Sequence, residues 1–338
     1  EGRLELRSLD YTLAREGIYW VLDVGMLPST SSIGKYDLRA DGYTLVRNVG
    51  RKWPLPPPAK FYGFPDEAVA YYQNTGFLSD LSLEVEKLFA SIFYLGPLRG
   101  HPERTYLWSG EVPEHVGWRG EKAIEAVLAA HERRISPGPG RHARSFSEVI
   151  ARWLEELGLI ESFRVQPIAE GRKEHEVRVL THRGASEVNL TDVGFGISQV
   201  LPVLVQCFYA PKDSILILEQ PEIHLHPRVQ ASLADLFIEA IQARENGEAR
   251  SIQLLVESHS EHFLRRLQRR VAEEKLSPQD VAIYFCRPSP EGSQIDELEV
   301  DLFGNITNWP EGFFGDEMGD LAAMTEAAMR RQIEGAAR

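Results

Sequence analysis

The chain has no run of about eighteen apolar residues, the length that crosses a lipid core, so no membrane span is expected. Cysteine is scarce, with Cys207 and Cys286 alone among 338 residues. Two thiols in apolar stretches make neither a disulfide framework nor a zinc pattern. Each is expected to fill core volume, and the cytoplasm is the natural compartment. Positive charge is also short: the net charge of −13 argues against a surface dominated by nonspecific phosphate binding. Arg265, Arg266, Arg269 and Arg270 cluster on one expected helix and read first as a solvated face. The first residues, Glu1-Gly2-Arg3-Leu4-Glu5, hold neither an apolar signal core nor an initiator Met. No internal repeat is found. What the chain does have is apolar content, at 43%, ample for a packed core.

Residues 3–50 read as β-rich, with Gly17–Asp23 and Tyr43–Val46 as aromatic and β-branched runs between turn residues. Lys52–Pro58 is a proline-rich extended connector. Helices are expected over Asp66–Asn74 and Asp80–Phe93, with Asp66 and Asp80 as caps, then over Gly120–Arg134 and Ser147–Leu157. Ile135–Arg141 is a glycine- and proline-rich break. Phe163–Ile168 and His175–Thr181 read as a strand pair. Helices 197–208, 228–242 and 261–274 then alternate with strands 214–218, 251–256 and 281–286, which points to a parallel sheet. The fold class is therefore α/β, a mainly parallel sheet flanked by helices with a β-rich N-terminal region. The expected division is a β-rich arm (1–58), a helical region (59–144), a core lobe (145–290) and a C-terminal tail domain (291–338).

The most informative stretch is Ser214–Pro227, where the apolar run Ile215–Leu218 leads into Glu219-Gln220-Pro221-Glu222. A strand apolar on both faces sits inside a sheet, and chemistry in open α/β sheets gathers at the carboxyl ends of strands. Upstream, Val193-Gly194-Phe195-Gly196-Ile197-Ser198-Gln199 is a glycine turn opening a helix, suited to anions through free N–H groups and the helix dipole. Downstream, strand Ser251–Val256 ends in Glu257-Ser258-His259-Ser260. Glycine turn, acidic strand tip and histidine strand tip, in that order, resemble ABC-class ATPases of the chromosome-maintenance and DNA-repair type. Within these the chain is most similar to the bacterial overcoming-lysogenisation-defect group. The likeness covers residues 189–287 and extends more loosely to Tyr94–Arg99 and Asn308–Phe314, where it resembles a subgroup with its own C-terminal domain of unknown function.

The resemblance implies ATP and Mg2+ as cofactors, with Glu219 on the metal. Gln220 takes the place of the catalytic glutamate. It cannot accept a proton but can orient a water, which leaves Glu222 as a candidate base. His259 stands as the switch residue on the γ-phosphate. Gly194, Phe195, Gly196 and Ser198 would read the nucleotide of a facing subunit, with Gly194 where serine is usual. His226 falls in the loop that meets that subunit; the alternative is a hydrogen-bonded pair with His224, with Pro227 starting the helix. Arg99 and Arg104 suit phosphate by their planar forks, or form surface ion pairs. Asn308–Pro310 with Phe313 and Phe314 suit either docking or packing.

A phosphate loop needs Gly, four residues, then Gly-Lys-Ser/Thr. Gly34-Lys35 is the only Gly-Lys and fails, with Tyr36 after it and Ser29 at the first glycine position. The family carries that loop upstream, so on the order of one hundred preceding residues are expected. The expected function is the C-terminal part of an ATPase that dimerises around ATP–Mg2+ and couples nucleotide state to a separate effector, in DNA repair or anti-phage defence. DNA remains open as a partner. The rivals are a non-hydrolysing, nucleotide-locked scaffold or sensor and a metal-dependent hydrolase using the His/Glu cluster, including His262.

Overall fold

The computed structural model describes residues 6–15, 18–50, 53–290, 292–310, 322–329 and 331. The chain forms two compact units, Glu1–Ile92 and Phe93–Arg338. In the first, β1 (Leu9–Arg15), β2 (Ile18–Pro28) and β3 (Tyr36–Asp41) form an antiparallel meander. Alternation along β2 buries Leu22, Val24 and Met26, and Val24 and Met26 pack with Leu55, with Ala68 of α1 (Asp66–Ala70) and with Leu78 of α2 (Phe77–Ala90). Pro65 and Gly76 take the N-cap positions, so Asp66 and Asp80 are not caps. They lie in the first helical turn, where a carboxylate still favours the dipole. Tyr43–Val46 is not a strand. The Asn74 side chain accepts from the Val46 N–H (2.9 Å) and donates to the Thr44 carbonyl (2.8 Å), satisfying groups that a ladder would otherwise hold.

β4 (Ile92–Leu95) starts at the last residue of the first unit, and the second unit runs on through β5 (Tyr106–Leu107), α3 (Ala123–Ala129), β6 (Arg134–Ser136), β7 (Arg144–Ser145) and α4 (Phe146–Glu156). It continues through β8 (Ser162–Pro167), β9 (Glu174–Leu180), β10 (Val188–Asn189), α5 (Phe195–Tyr209) and β11 (Ile215–Glu219). Then come α6 (Pro227–Gln242), β12 (Arg244–Glu245), β13 (Glu248–Ala249), β14 (Gln253–Glu257), α7 (Glu261–Ala272), β15 (Ile283–Ser289) and β16 (Gly292–Leu298).

Three strands in the order β14-β11-β4 make the sheet that positions the candidate site. β11 and β14 run parallel, with Glu219 opposite Glu257 at their carboxyl ends. Leu216 and Leu218 point to one face and are fully buried. Leu218, Leu254 and Val256 pack in the main core with residues of α5 and α6. The other face is open: Ile215 and Ile217 are half-buried, Leu255 is 46% exposed and Tyr94 is 42% exposed. α5 is buried from Ile197 to Tyr209, as a helix apolar all round must be. Antiparallel strands β5, β8, β9 and β10 form a second sheet.

The alternation of helix and parallel strand stops at β14. β15 pairs antiparallel with β16, because only two residues separate them and a parallel partner needs a long crossover. Cys286 is exposed, contrary to its expected core role, whereas Cys207 is buried. Period-2 alternation turns Ile283 and Phe285 toward the Leu264 cluster and Cys286 the other way.

The C-terminus of α5 is capped by two arginines from other elements. Arg250 is 1% exposed and donates to the carbonyls of Cys207 (3.0 Å) and Ala210 (2.7 Å). Arg133 donates to Tyr209 (2.7 Å) and pairs with Glu245 (2.7 Å). Burial pushes the Arg250 guanidinium down to about 10, yet the carbonyl end of the helix dipole favours the cation. Replacing Arg250 by Leu is expected to destabilise the protein by about 2–4 kcal/mol in urea unfolding, since two carbonyls lose their donor. Arg104→Ala, which removes an exposed pair with Asp192, should stay within about 0.5 kcal/mol.

Candidate functional site

At the tip of β11 the chain turns sharply, and Gln220 adopts the left-handed region with φ 43°. A β-tip glutamine in that region is held by its surroundings rather than by preference. Its N–H donates to the Glu257 carbonyl at 2.9 Å, closing the turn onto β14. Arg99 holds the other side. This side chain is 3% exposed, and it donates from Nη2 to the Glu219 carbonyl (2.8 Å) and from Nη1 to the carbonyls of Gln220 and Pro97 (2.9 Å each). Arg99 is thus neither a phosphate ligand nor a surface ion pair. Its fork satisfies strand-end carbonyls that have no next residue in the ladder. Burial lowers the guanidinium to about 10, with the charges of Glu222 and Glu219 acting in the opposite direction.

Five oxygen- or nitrogen-bearing side chains gather on the open face at this tip. The Tyr94 hydroxyl donates to Glu219 Oε2 at 2.9 Å, and that bond, with lesser desolvation, raises the phenol above its ordinary value. Glu257 lies beside Glu219 by strand register. Gln220 Nε2 donates to Glu257 Oε1 at 3.4 Å, and His259 Nε2 stands 3.7 Å from the same oxygen. The His259 ring is exposed, its side chain 78% accessible. Two carboxylates side by side on neighbouring strands repel unless a cation or donor compensates.

Glu222 faces inward. It is 7% exposed, and its Oε1 accepts the backbone N–H of His259 at 2.7 Å. His224 has φ 61°, and its ring meets Phe195 at 5.1 Å between centroids, edge to face. His226 is the N-cap of α6: its Nδ1 accepts the Arg228 N–H at 3.3 Å, and Pro227 follows at the first helical position. The two histidines do not bond to each other; one packs on the glycine turn and the other caps a helix. Ser260 caps α7 through the Phe263 N–H and donates to Gln230 Oε1 at 2.7 Å. The capping role of the Ser-His-Ser turn thus belongs to its serine, leaving the His259 ring outward.

Gly194 is the N-cap of α5. A Cβ added there would meet nothing within 4 Å, so a serine fits without strain. A Cβ on Gly196 would touch Leu225 Cδ2 at 3.5 Å, which places the turn against the loop that follows the strand tip. Ser198 is buried and donates to its own helix, to the Phe195 carbonyl at 2.7 Å, whereas Phe195 is 44% exposed.

Residue types alone did not single out Tyr94 and Glu257. The signal for Glu257 is the equal length of two parallel strands ending in acids; Tyr94 is set by tertiary pairing. Among the described residues no three His, Cys, Asp or Glu side chains converge as a metal-holding group, so the His/Glu cage a metal-dependent hydrolase would need is not assembled. A cavity of about 60 Å³ lined by His101, Glu103, Tyr106 and Ser198 has room for water, not for a nucleotide. The Arg cluster of α7 is paired throughout: Arg265 with Glu261, Arg266 and Arg270 with Asp235, Arg269 with Glu273. In the tail, Trp309 is 39% exposed, and Phe313 and Phe314 lie outside the described residues.

Residues 113–265, less than half of the chain, match the family described as "AAA domain, putative AbiEii toxin, Type IV TA system". Residues 276–324 match a "Protein of unknown function (DUF3696)". No curated protein matches. Among solved structures, one described as "Structural biochemistry of ATP-driven dimerization and DNA stimulated activation of SMC ATPases" has TM-score 0.31 and 15% identity, over 45% of this chain and 84% of that one. A Smc head domain with an extended coiled coil, bound to the C-terminal domain of ScpA from Pyrococcus furiosus, has 0.31 and 16%, over 45% and 35%. A SmcHead bound to the C-winged helix domain of ScpA has 0.35 and 12%, over 83% and 68%. These likenesses are weak, and nothing about the function of this chain follows from them.

Arg99→Lys keeps the charge but not the fork. It is expected to destabilise the protein by about 2–3 kcal/mol and to speed amide exchange at residues 219–223. Unchanged stability would mean that the guanidinium does not hold the turn.

Proposed function

We propose that this chain supplies the acidic and switch side of an ABC-class ATPase site that closes on ATP and Mg2+ between two copies. The observation that supports it is the in-register pair of carboxylates, Glu219 and Glu257, at the ends of parallel strands, with Tyr94, Gln220 and the outward His259 ring around them. Magnesium takes oxygen ligands, so this donor set fits it. Glu219 would hold the metal through its carboxylate, with Tyr94 fixing one of its oxygens. A magnesium ion held there would supply charge neutralisation for a transferring phosphoryl group. Gln220 can orient a water, and the His259 ring is free to donate to a phosphate oxygen. Gly194–Gly196 with Phe195 and His226 would form the edge presented to the nucleotide of a facing copy, whereas Ser198, buried and bonded to the Phe195 carbonyl, would support that turn from within. The match of residues 113–265 to an AAA domain is consistent with this role. An effector that reads the nucleotide state, and a place in DNA repair or anti-phage defence in the cytoplasm, belong to the same proposal. They rest on the resemblance of the motifs.

A second reading has its own support. An amide, Gln220, stands where a base is usual. In that reading nucleotide locks two copies together without being cleaved.

Sedimentation velocity with ATP and Mg2+ tests the proposal. The protein is expected to shift from monomer toward dimer, and Glu219→Ala to weaken the Mg2+-dependent shift by about tenfold or more. No shift at millimolar ATP–Mg2+ contradicts both readings. A shift without phosphate release selects the locked module, and a shift with release selects the ATPase.

A further inference from the structure

Glu222 was open as a replacement base, and its surroundings assign it differently. A base must reach the water it deprotonates. Glu222 Oε1 is occupied by the His259 N–H at 2.7 Å, and Oε2 is sealed from solvent with no hydrogen-bond partner. Arg99 Nε is likewise buried and unpartnered, while both Nη atoms hold the carbonyls of residues 219 and 220. One buried carboxylate and one buried guanidinium thus sit beneath the strand tip, each bonded to backbone of a different loop. Buried charges persist when paired or bonded, and a carboxylate accepting a backbone N–H is a strong, charge-assisted contact. The Glu222 charge is also the largest favourable one acting on Arg99.

We infer that Glu222 is a positioning residue: it latches the His259 loop to the turn after β11, so that the metal-side carboxylate and the switch histidine move as one body. The inference deepens the ATPase reading and rests on it for the roles of Glu219 and His259; the latch itself stands on geometry alone. The backbone of His259 is fixed from below by Glu222, while its ring remains outward beside Glu257. A nucleotide contact that pulls on the ring would therefore be transmitted through the His259 N–H to residue 222, and from there to the strand-tip loop that Arg99 clamps.

The test compares Glu222→Gln with Glu222→Ala in the whole chain. Glutamine keeps an acceptor for the His259 N–H; alanine does not. Hydrogen exchange at the His259 amide is expected to stay within about threefold of wild type in Glu222→Gln and to speed by about tenfold or more in Glu222→Ala. Equal exchange in wild type and Glu222→Ala overturns the latch. Where the wild type releases phosphate, Glu222→Gln should keep turnover within about threefold and keep the acid limb of the pH–rate profile. Loss of about a hundredfold in Glu222→Gln, with His259 still protected, would make Glu222 the base and overturn the inference. If the wild type neither binds nor cleaves ATP, the ATPase reading falls, and the exchange comparison still decides the latch.

Discussion

A buried guanidinium on the end of a strand is the constraint on which the candidate site depends. β11 ends where its backbone must leave the sheet, and two carbonyls, of Glu219 and Gln220, lose their ladder partners there. Arg99, itself only 3% exposed, takes the place of those partners. The fork of Arg99 supplies two donors in fixed geometry, and its charge is offset by Glu222 and Glu219 rather than by solvent. With the carbonyls held, the chain can enter the left-handed region at Gln220, and again at His224, within five residues. Each such non-glycine position costs about 1 kcal/mol or more and persists only where its surroundings over-determine it.

The consequence is a division of labour along a short loop. Glu219 and Gln220 face the open side with Tyr94 and Glu257, whereas Glu222 turns inward to the His259 backbone. His224 and Leu225 meet the glycine turn of α5, and His226 starts α6. Three segments distant in sequence, 94–99, 194–196 and 257–260, are thereby gathered around residues 219–226. The carboxylates remain near solvent, where a cation can reach them, while the polar groups that shape the loop are buried and bonded.

Much of this architecture was legible in the residues. Ile215–Leu218 reads as an interior strand because its apolar run leaves no polar face, and the glycine turn before a long apolar helix marks α5. The hairpin partner of β15 was not legible, since an apolar strand does not announce whether its neighbour is parallel. Tyr43–Val46 has strand composition, but Asn74 captures its backbone groups. Arg99 could not be told from a surface arginine, because burial of a guanidinium depends on carbonyls contributed by a segment more than a hundred residues away. The inward turn of Glu222 likewise follows from positive φ values that composition does not reveal.

The most direct test of the proposal that the strand tip holds a divalent cation with nucleotide is electron paramagnetic resonance of Mn2+ with ATP and the protein. The account predicts about one bound Mn2+ per chain only when ATP is present, lost in Glu219→Ala and weakened in Tyr94→Phe. A Mn2+–ATP spectrum that the protein leaves unchanged, or binding that is equally strong without Glu219, would contradict it.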